Sequence, residues 1–254
     1  MATNESAEQL RQLYRDLLEG HSSPQQAKPL WPNPTLDPPT STTAQLPKLK
    51  FYCKVNRANG AELSLIDDNN ERHGMYLARM QIDTSNQVVL VKFAAKYNEE
   101  AHRLLAGNNL APALHFCARV IGGMYMVVME YIPNTRGWSL DPRSSADHPP
   151  SLPKPEVIRQ DITKALGLLH ERGFVFGDLR EANSLYLPED GGRVLLVDFD
   201  GVGLDGKDRY SPCLNPELEL GVGRWQIMEK RHDNENLERM MKRVSKRYSS
   251  IQQD

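Results

Sequence analysis

Residues 168–201 read LLHERGFVFGDLREANSLYLPEDGGRVLLVDFDG. An apolar helix end, carried by Leu166, Leu168, Leu169 and His170, runs into a short strand-like Phe-Val-Phe. A loop follows with Asp178 and, five residues on, Asn183. Two β-rich pieces, Ser184–Leu187 and Arg193–Phe199, flank a Pro-Glu-Asp-Gly-Gly turn, which predicts a hairpin. The second piece delivers Asp198 at its end. Two carboxylates and an amide presented on loops around a hairpin form an all-oxygen donor set, suited to a phosphate-bound Mg²⁺ and to an attacking hydroxyl.

Asp178-Leu-Arg-Glu-Ala-Asn183 resembles the catalytic loop of protein kinases, and Asp198-Phe-Asp-Gly201 resembles their metal-binding loop. The chain is similar to the protein-kinase-like superfamily, and within it to the small kinase-like domains of mushroom-forming fungi. The resemblance spans about residues 48 to 240 and is tightest over 168–201. It implies an α+β, bilobal protein-kinase-like fold with an antiparallel-sheet N-lobe and a short helical C-lobe. Its domain boundaries read as an N-lobe at about 48–129, a hinge at about 130–137 and a C-lobe at about 138–254.

Upstream of this stretch, Lys48–Val55 and Gly74–Met80 alternate as strands do, and Gln87–Ala94 is a β-branched run holding one lysine. A lone lysine in an apolar strand is ordinarily an edge residue reaching for water. The resemblance instead makes it Lys92, the residue that touches the α/β-phosphates of ATP. Asn98–Leu105 reads as the small-lobe helix, with Glu100 as the implied ion-pair partner of Lys92 and Glu99 as the alternative. Gly123–Ile132 is a buried strand by composition. The resemblance turns Met129 to the back of the nucleotide pocket and sets the backbone of Glu130 and Ile132 at the adenine edge. Trp138–Pro155 reads as a loop. Pro155 then opens a helix over 156–171 with a broad apolar stripe.

The implied chemistry is transfer of the ATP γ-phosphoryl group to a hydroxyl, protein Ser/Thr foremost, with ATP and Mg²⁺ as the cofactors. Asp178 orients the hydroxyl and accepts its proton. Asn183 and Asp198 hold Mg²⁺, Arg180 neutralises the transferring phosphate, and Leu185 forms the floor under the adenine. Four positions depart from the family pattern. No Gly-x-Gly-x-x-Gly precedes Lys92, where only Gly60 and Gly74 stand. Leu90 replaces a small residue, Phe176 replaces the usual His, and Asp200 replaces the Gly of the metal loop. Gly177-Asp178 and an acidic residue after the metal-binding Asp also occur in small-molecule kinases of the aminoglycoside and choline type, and that resemblance implies that Asp200 holds a second metal or tunes the site. The alternatives to a protein kinase are therefore a small-molecule kinase or a pseudokinase scaffold. The intact Lys92, Asp178, Asn183 and Asp198 tilt the reading towards an enzyme.

The termini carry less. Ser6–Gln9 forms a capping box ahead of Leu10, Leu13, Tyr14, Leu17 and Leu18, so residues 1–20 read as an amphipathic helix. It is an appendage on the domain or a protein-partner helix. Residues 21–47 hold seven prolines and read as a linker. Asp233 reads as the N-cap of a last helix, and the resemblance implies that it is also the structural aspartate that tethers the catalytic loop. Leu237, Met240, Met241 and Val244 form that helix's apolar face, and Arg239, Lys242, Arg243, Lys246 and Arg247 read as a solvated basic face. A net charge of −2 gives no reason to expect nucleic acid. Three scattered cysteines argue against a disulfide framework. No signal peptide or apolar membrane span is legible, so a cytoplasmic or nuclear setting is expected.

Overall fold

The structure is a computed structural model that describes residues 31–37, 45–55, 62–63, 74–82, 85–142, 153–189, 192–211 and 221–251. The N-terminal helix, most of the proline-rich segment, Gly60, Cys213 and Asn215–Glu217 lie outside the described residues. The chain divides into two compact units, Met1–Pro32 and Asn33–Asp254. All that follows concerns the second.

Strands β1 (Leu49–Val55), β2 (Glu62–Leu63), β3 (Met75–Ile82) and β4 (Ser85–Ala94) lead into helix α1 (Glu99–Ala106). β5 (Leu114–Val120) and β6 (Met124–Glu130) complete a six-stranded sheet of order β2-β1-β3-β4-β6-β5, antiparallel in every pairing. The pleat of β4 sorts its side chains. Val89 and Val91 fall on one face with Ala78, Met126 and Val128 in a satellite core. Leu90 and Lys92 fall on the other, because successive strand residues point to opposite faces. Register sets Leu90 between Leu77 and Met129, and Lys92 between Met75 and Val127. The lysine is therefore aimed at the interior, not at an edge.

The C-terminal half is built from β7 (Trp138–Ser139), helix α2 (Pro155–Glu171), β8 (Phe174–Val175), β9 (Ser184–Leu187), β10 (Arg193–Leu196), β11 (Gly203–Leu204) and helix α3 (Lys230–Ile251). Pro155 sits at the start of α2, where its missing N–H costs nothing. Ile158, Ile162, Ala165, Leu166 and Leu169 bury the inner stripe of α2. They share a core with α1 residues Ala101 and Leu105 and with α3 residues Leu237, Met240, Met241 and Val244. β9 and β10 form the antiparallel hairpin that the turn residues demand, Tyr186 opposite Val194 and Leu185 opposite Leu195.

Several expectations are corrected by the structure. Trp138–Ser139 is not loop, since it adds a short strand to β9, Trp138 opposite Tyr186. The proline-rich stretch is not wholly a linker either. Leu36 bridges Val120, and the Ile121 N–H donates to the Thr35 carbonyl at 2.8 Å, capping the outer edge of the sheet. Asp233 is not an N-cap. α3 begins three residues earlier, where the Lys230 N–H donates to Asp205 Oδ1 at 3.1 Å. The basic face of α3 is only partly solvated, because Arg243 and Arg247 turn back onto the protein.

Candidate functional site

The hairpin stem fixes the catalytic-loop candidate. The Val197 N–H donates to the Asn183 carbonyl at 3.0 Å, so the segment leaving β10 lies against the loop before β9. Between them Asp178 is clamped from both sides. Its Oδ1 accepts from Arg180 Nε at 2.9 Å and its Oδ2 from Asn183 Nδ2 at 2.8 Å. The same Asn183 nitrogen donates to the Asp178 carbonyl at 2.9 Å, which turns the amide oxygen of Asn183 the other way. Burial raises the Asp178 carboxyl above the ordinary carboxylate range, Arg180 opposes that shift and the nearby Asp198 charge reinforces it.

A second anchor holds the loop from below. Asp233, fully buried, accepts from the backbone N–H of Phe176 at 2.8 Å and of Gly177 at 3.0 Å. His170 Nε2 lies 2.9 Å from Asp233 Oδ2. Gly177 has φ +78°, and a Cβ there would meet Met228 and the Gly201 carbonyl at 2.5 and 2.7 Å. Only glycine allows the loop to lie this close to the 198–201 turn.

That turn gathers the remaining candidates. Asp198 takes a left-handed backbone conformation, φ 70°, unusual for a residue with a side chain and typical of sites where geometry is imposed. A tight turn over Phe199–Gly201 follows. It sends Phe199 into the core and both flanking carboxylates to Lys92. Lys92 Nζ lies 2.7 Å from Asp198 Oδ1 and 2.7 Å from Asp200 Oδ1, with the lysine side chain only 8% exposed. Lys92, Asp178, Asn183, Asp198 and Asp200 thus belong to one assembly, with Arg180 at its edge.

Glu100 does not join it. Its side chain is 69% exposed and lies 4.0 Å from Arg172, while Glu99 pairs with Arg103. The inward face of α1 is Ala101, His102 and Leu105, each 0% exposed. His102 stacks on Phe199 at 4.5 Å and 7°, and Phe199 meets Phe176 edge-on at 5.8 Å. The Tyr97 hydroxyl is 2.6 Å from His102 Nδ1, and His102 Nε2 is 2.8 Å from the Pro112 carbonyl. Nε2 therefore donates and Nδ1 accepts, which is the neutral imidazole. Burial depresses the His102 pKa to about 4. Asn98 caps α1 by accepting from the Ala101 N–H, and its own N–H donates to the Phe199 carbonyl.

The hinge candidates line the sheet side. Met129 is buried in the main core beside Leu90, which packs against both that core and the Cys53–Val55–Leu77 cluster. The Glu130 N–H donates to the Ala113 carbonyl at 2.8 Å and its Oε2 accepts from the Ala113 N–H. Ile132 packs so closely on Gly137 that a Cβ at 137 would lie 2.6 Å from Ile132 Cγ2. Leu185, half-buried, lies on β9 next to the catalytic loop.

One further contact has no signature in the sequence. Glu181, within the loop at 178–183, receives Arg243 of α3 through Nε at 2.7 Å and Nη2 at 2.9 Å. Arg247 Nη1 also donates to the Leu140 carbonyl at 2.8 Å. Glu181 and Arg243 are 62 residues apart, so no local spacing exposes the pair.

A two-lobed arrangement of antiparallel sheet and helices, with a lysine strand, a clamped loop aspartate and a metal-loop turn between them, defines a protein-kinase-like fold. Among solved structures the chain is similar to the Cydia pomonella granulovirus kinase PK-1, with a TM-score of 0.53, 15% identity and coverage of 78% of this chain and 70% of that one. It is also matched to the kinase domain of Mycobacterium tuberculosis PknI, a double-mutant form, at a TM-score of 0.39 and 21% identity, covering 65% of this chain and 66% of that one. No protein-family model matches the chain. The likeness to the granulovirus kinase is one of fold.

Proposed function

We propose that the protein transfers the γ-phosphoryl group of ATP to a hydroxyl, with protein Ser/Thr as the acceptor class. The observation that carries this is the double clamp on Asp178, whose two oxygens are held by Arg180 and Asn183. A carboxylate so fixed, with its proton affinity raised by burial, suits a group that orients a hydroxyl and takes its proton as the oxygen attacks phosphorus. Arg180 would neutralise charge on the group in transfer, and Lys92 would hold the nonreacting phosphates. Leu185 would form the floor under the base and Met129 the back of its pocket, and the backbone of Glu130 and Ile132 would meet its edge.

The donor set fits Mg²⁺. Among the described residues no three His, Cys, Asp or Glu side chains form a metal cage by themselves. Mg²⁺ does not need one, because it takes one or two carboxylates and fills its remaining sites with phosphate oxygens and water. Asn183 through its amide oxygen and Asp198 through its carboxylate are the residues that would hold it, with Asp200 as a neighbouring carboxylate. When bound, the ion screens the charge of the phosphates.

On its motifs we propose a likeness to the small kinase-like domains of mushroom-forming fungi, and a cytoplasmic or nuclear setting. Among the described residues no helix is long and apolar enough to cross a membrane. The N-terminal helix read from the sequence is proposed to contact a protein partner.

The test has two stages. A thermal-shift titration with Mg-ATP should raise apparent stability by about 2.7 kcal/mol once nucleotide reaches 100 times its Kd. Labelled transfer from ATP is then followed to generic proteins and to a panel of hydroxyl metabolites. Label in protein Ser/Thr supports the proposal, label in metabolites only moves the acceptor to the small-molecule class, and binding without transfer makes the protein a scaffold.

A further inference from the structure

Lys92 is a nearly buried ammonium, and an ammonium removed from water needs fixed counter-charge, since its desolvation costs several kcal/mol. In the family pattern that charge comes from the small-lobe helix. Here α1 turns no carboxylate inward: Glu99 faces Arg103, Glu100 faces Arg172, and the buried positions are Ala101, His102 and Leu105. Tyr97 adds a ring 6.0 Å from Nζ but no charge. Among the described residues, the carboxylates against Nζ come from the 198–201 turn, one residue to either side of Phe199.

The two carboxylates are not equivalent. Asp198 accepts a hydrogen bond from Nζ and is proposed above as a metal ligand, and an oxygen committed to a cation is a weaker partner for an ammonium. Asp200 Oδ1 lies 2.7 Å from the same nitrogen as an ion pair. The stack of Phe199 on His102 and the Asn98-to-Phe199 backbone bond hold the turn in place, and with it the carboxylate.

We propose that Asp200 is the resident counter-ion of Lys92, a positioning residue that replaces the helix glutamate of the family pattern. The departure from glycine at 200 and the outward rotation of Glu100 are then two halves of one exchange. Lys92 is set by the metal-loop turn and keeps its place without any carboxylate from α1. The proposal rests on the reading that Lys92 serves the nucleotide phosphates, although its direct test does not.

The direct test is the rate of acylation of Lys92 in the intact protein by an amine-selective acetylating reagent, read by peptide mass spectrometry. Asp200→Asn removes one of two anchors, lets the amine reach solvent more often, and raises the Lys92 rate about five-fold. Asp200→Glu keeps the charge and stays within about two-fold of wild type, and Glu100→Gln leaves Lys92 labelling at the wild-type rate. In transfer assays Asp200→Asn raises the nucleotide KM by more than it lowers kcat. Unchanged Lys92 labelling in Asp200→Asn, or an equal rise in Glu100→Gln, overturns the proposal. If labelling responds as stated and wild type transfers no phosphate, the anchor stands and the phosphotransfer reading alone fails.

Discussion

Asp178 holds a charge where its surroundings disfavour one, and that conflict can be measured. Because burial raises its folded-state pKa above the unfolded value, ionising it opposes folding at neutral pH. Asp178→Asn should therefore abolish transfer, by about 10²- to 10⁴-fold for a lost general base, while raising the melting temperature at pH 7. The gain should shrink as pH falls through the Asp178 pKa, where the native carboxyl binds its proton. His102 has the opposite sign. Its folded pKa, about 4, lies below the unfolded value, so the stability it contributes is present above about 6.5 and lost as pH falls towards 4. The expected slope there is about 1.4 kcal/mol per pH unit, and His102→Phe, which keeps the ring on Phe199, should flatten it in urea titrations across this window. Lys92, Asp178, Asn183 and Asp198 are singled out by resemblance to short motifs, each local to one strand, one loop or one hairpin, and the structure brings the four into one assembly. The position of Glu100 is not legible in this way. A helix start reveals acidic residues, yet which face turns inward is decided by Ala101 and Leu105, four residues apart, and by His102 packing on Phe199.

At the level of elements, helix α1 is short and depends on its ends. Asn98 closes its first turn and ties it to the metal-loop turn, so Asn98→Ala should lower stability by about 1 kcal/mol in denaturant melts. Helix α3 matters in two places. Near its start Asp233 takes the backbone N–H groups of Phe176 and Gly177, a tether implied by the resemblance, whereas Asp205 rather than Asp233 meets the first N–H of the helix. Farther along, Arg243 grips Glu181 with two hydrogen bonds. The Arg243 side chain is 42% exposed, so solvent screening limits what the pair adds to global stability to about 1 kcal/mol or less. Its expected effect is on loop position: Arg243→Ala should lower kcat several-fold, on the order of 1 kcal/mol in barrier, and leave the nucleotide KM near wild type. A raised nucleotide KM with kcat near wild type would show that the helix acts on nucleotide binding instead. The longer strands are readable from β-branched alternation, whereas β7 escapes notice because two residues, Trp138 and Ser139, carry no period.

For the whole molecule, the main core runs without a break from the lysine-bearing sheet through α1 to α2 and α3. That continuity places residues from positions 92, 178 and 198 within reach of one another, and no single motif reveals it. Phe176, fully buried, ties the Asp233 anchor through its backbone N–H to Phe199 through an edge-on ring contact, and Phe199 stacks on His102. Charge is matched locally across the assembly, with Lys92 balanced by the 198–201 turn and Asp178 by Arg180. Whether this arrangement performs phosphoryl transfer is decided by single-turnover transfer of labelled γ-phosphate from Mg-ATP, run with wild type and with Asp178→Asn at equal nucleotide occupancy. Wild type should place label on acceptor hydroxyls and the variant none above background; equal transfer by both, or none by a wild type saturated with Mg-ATP, would contradict phosphoryl transfer through Asp178.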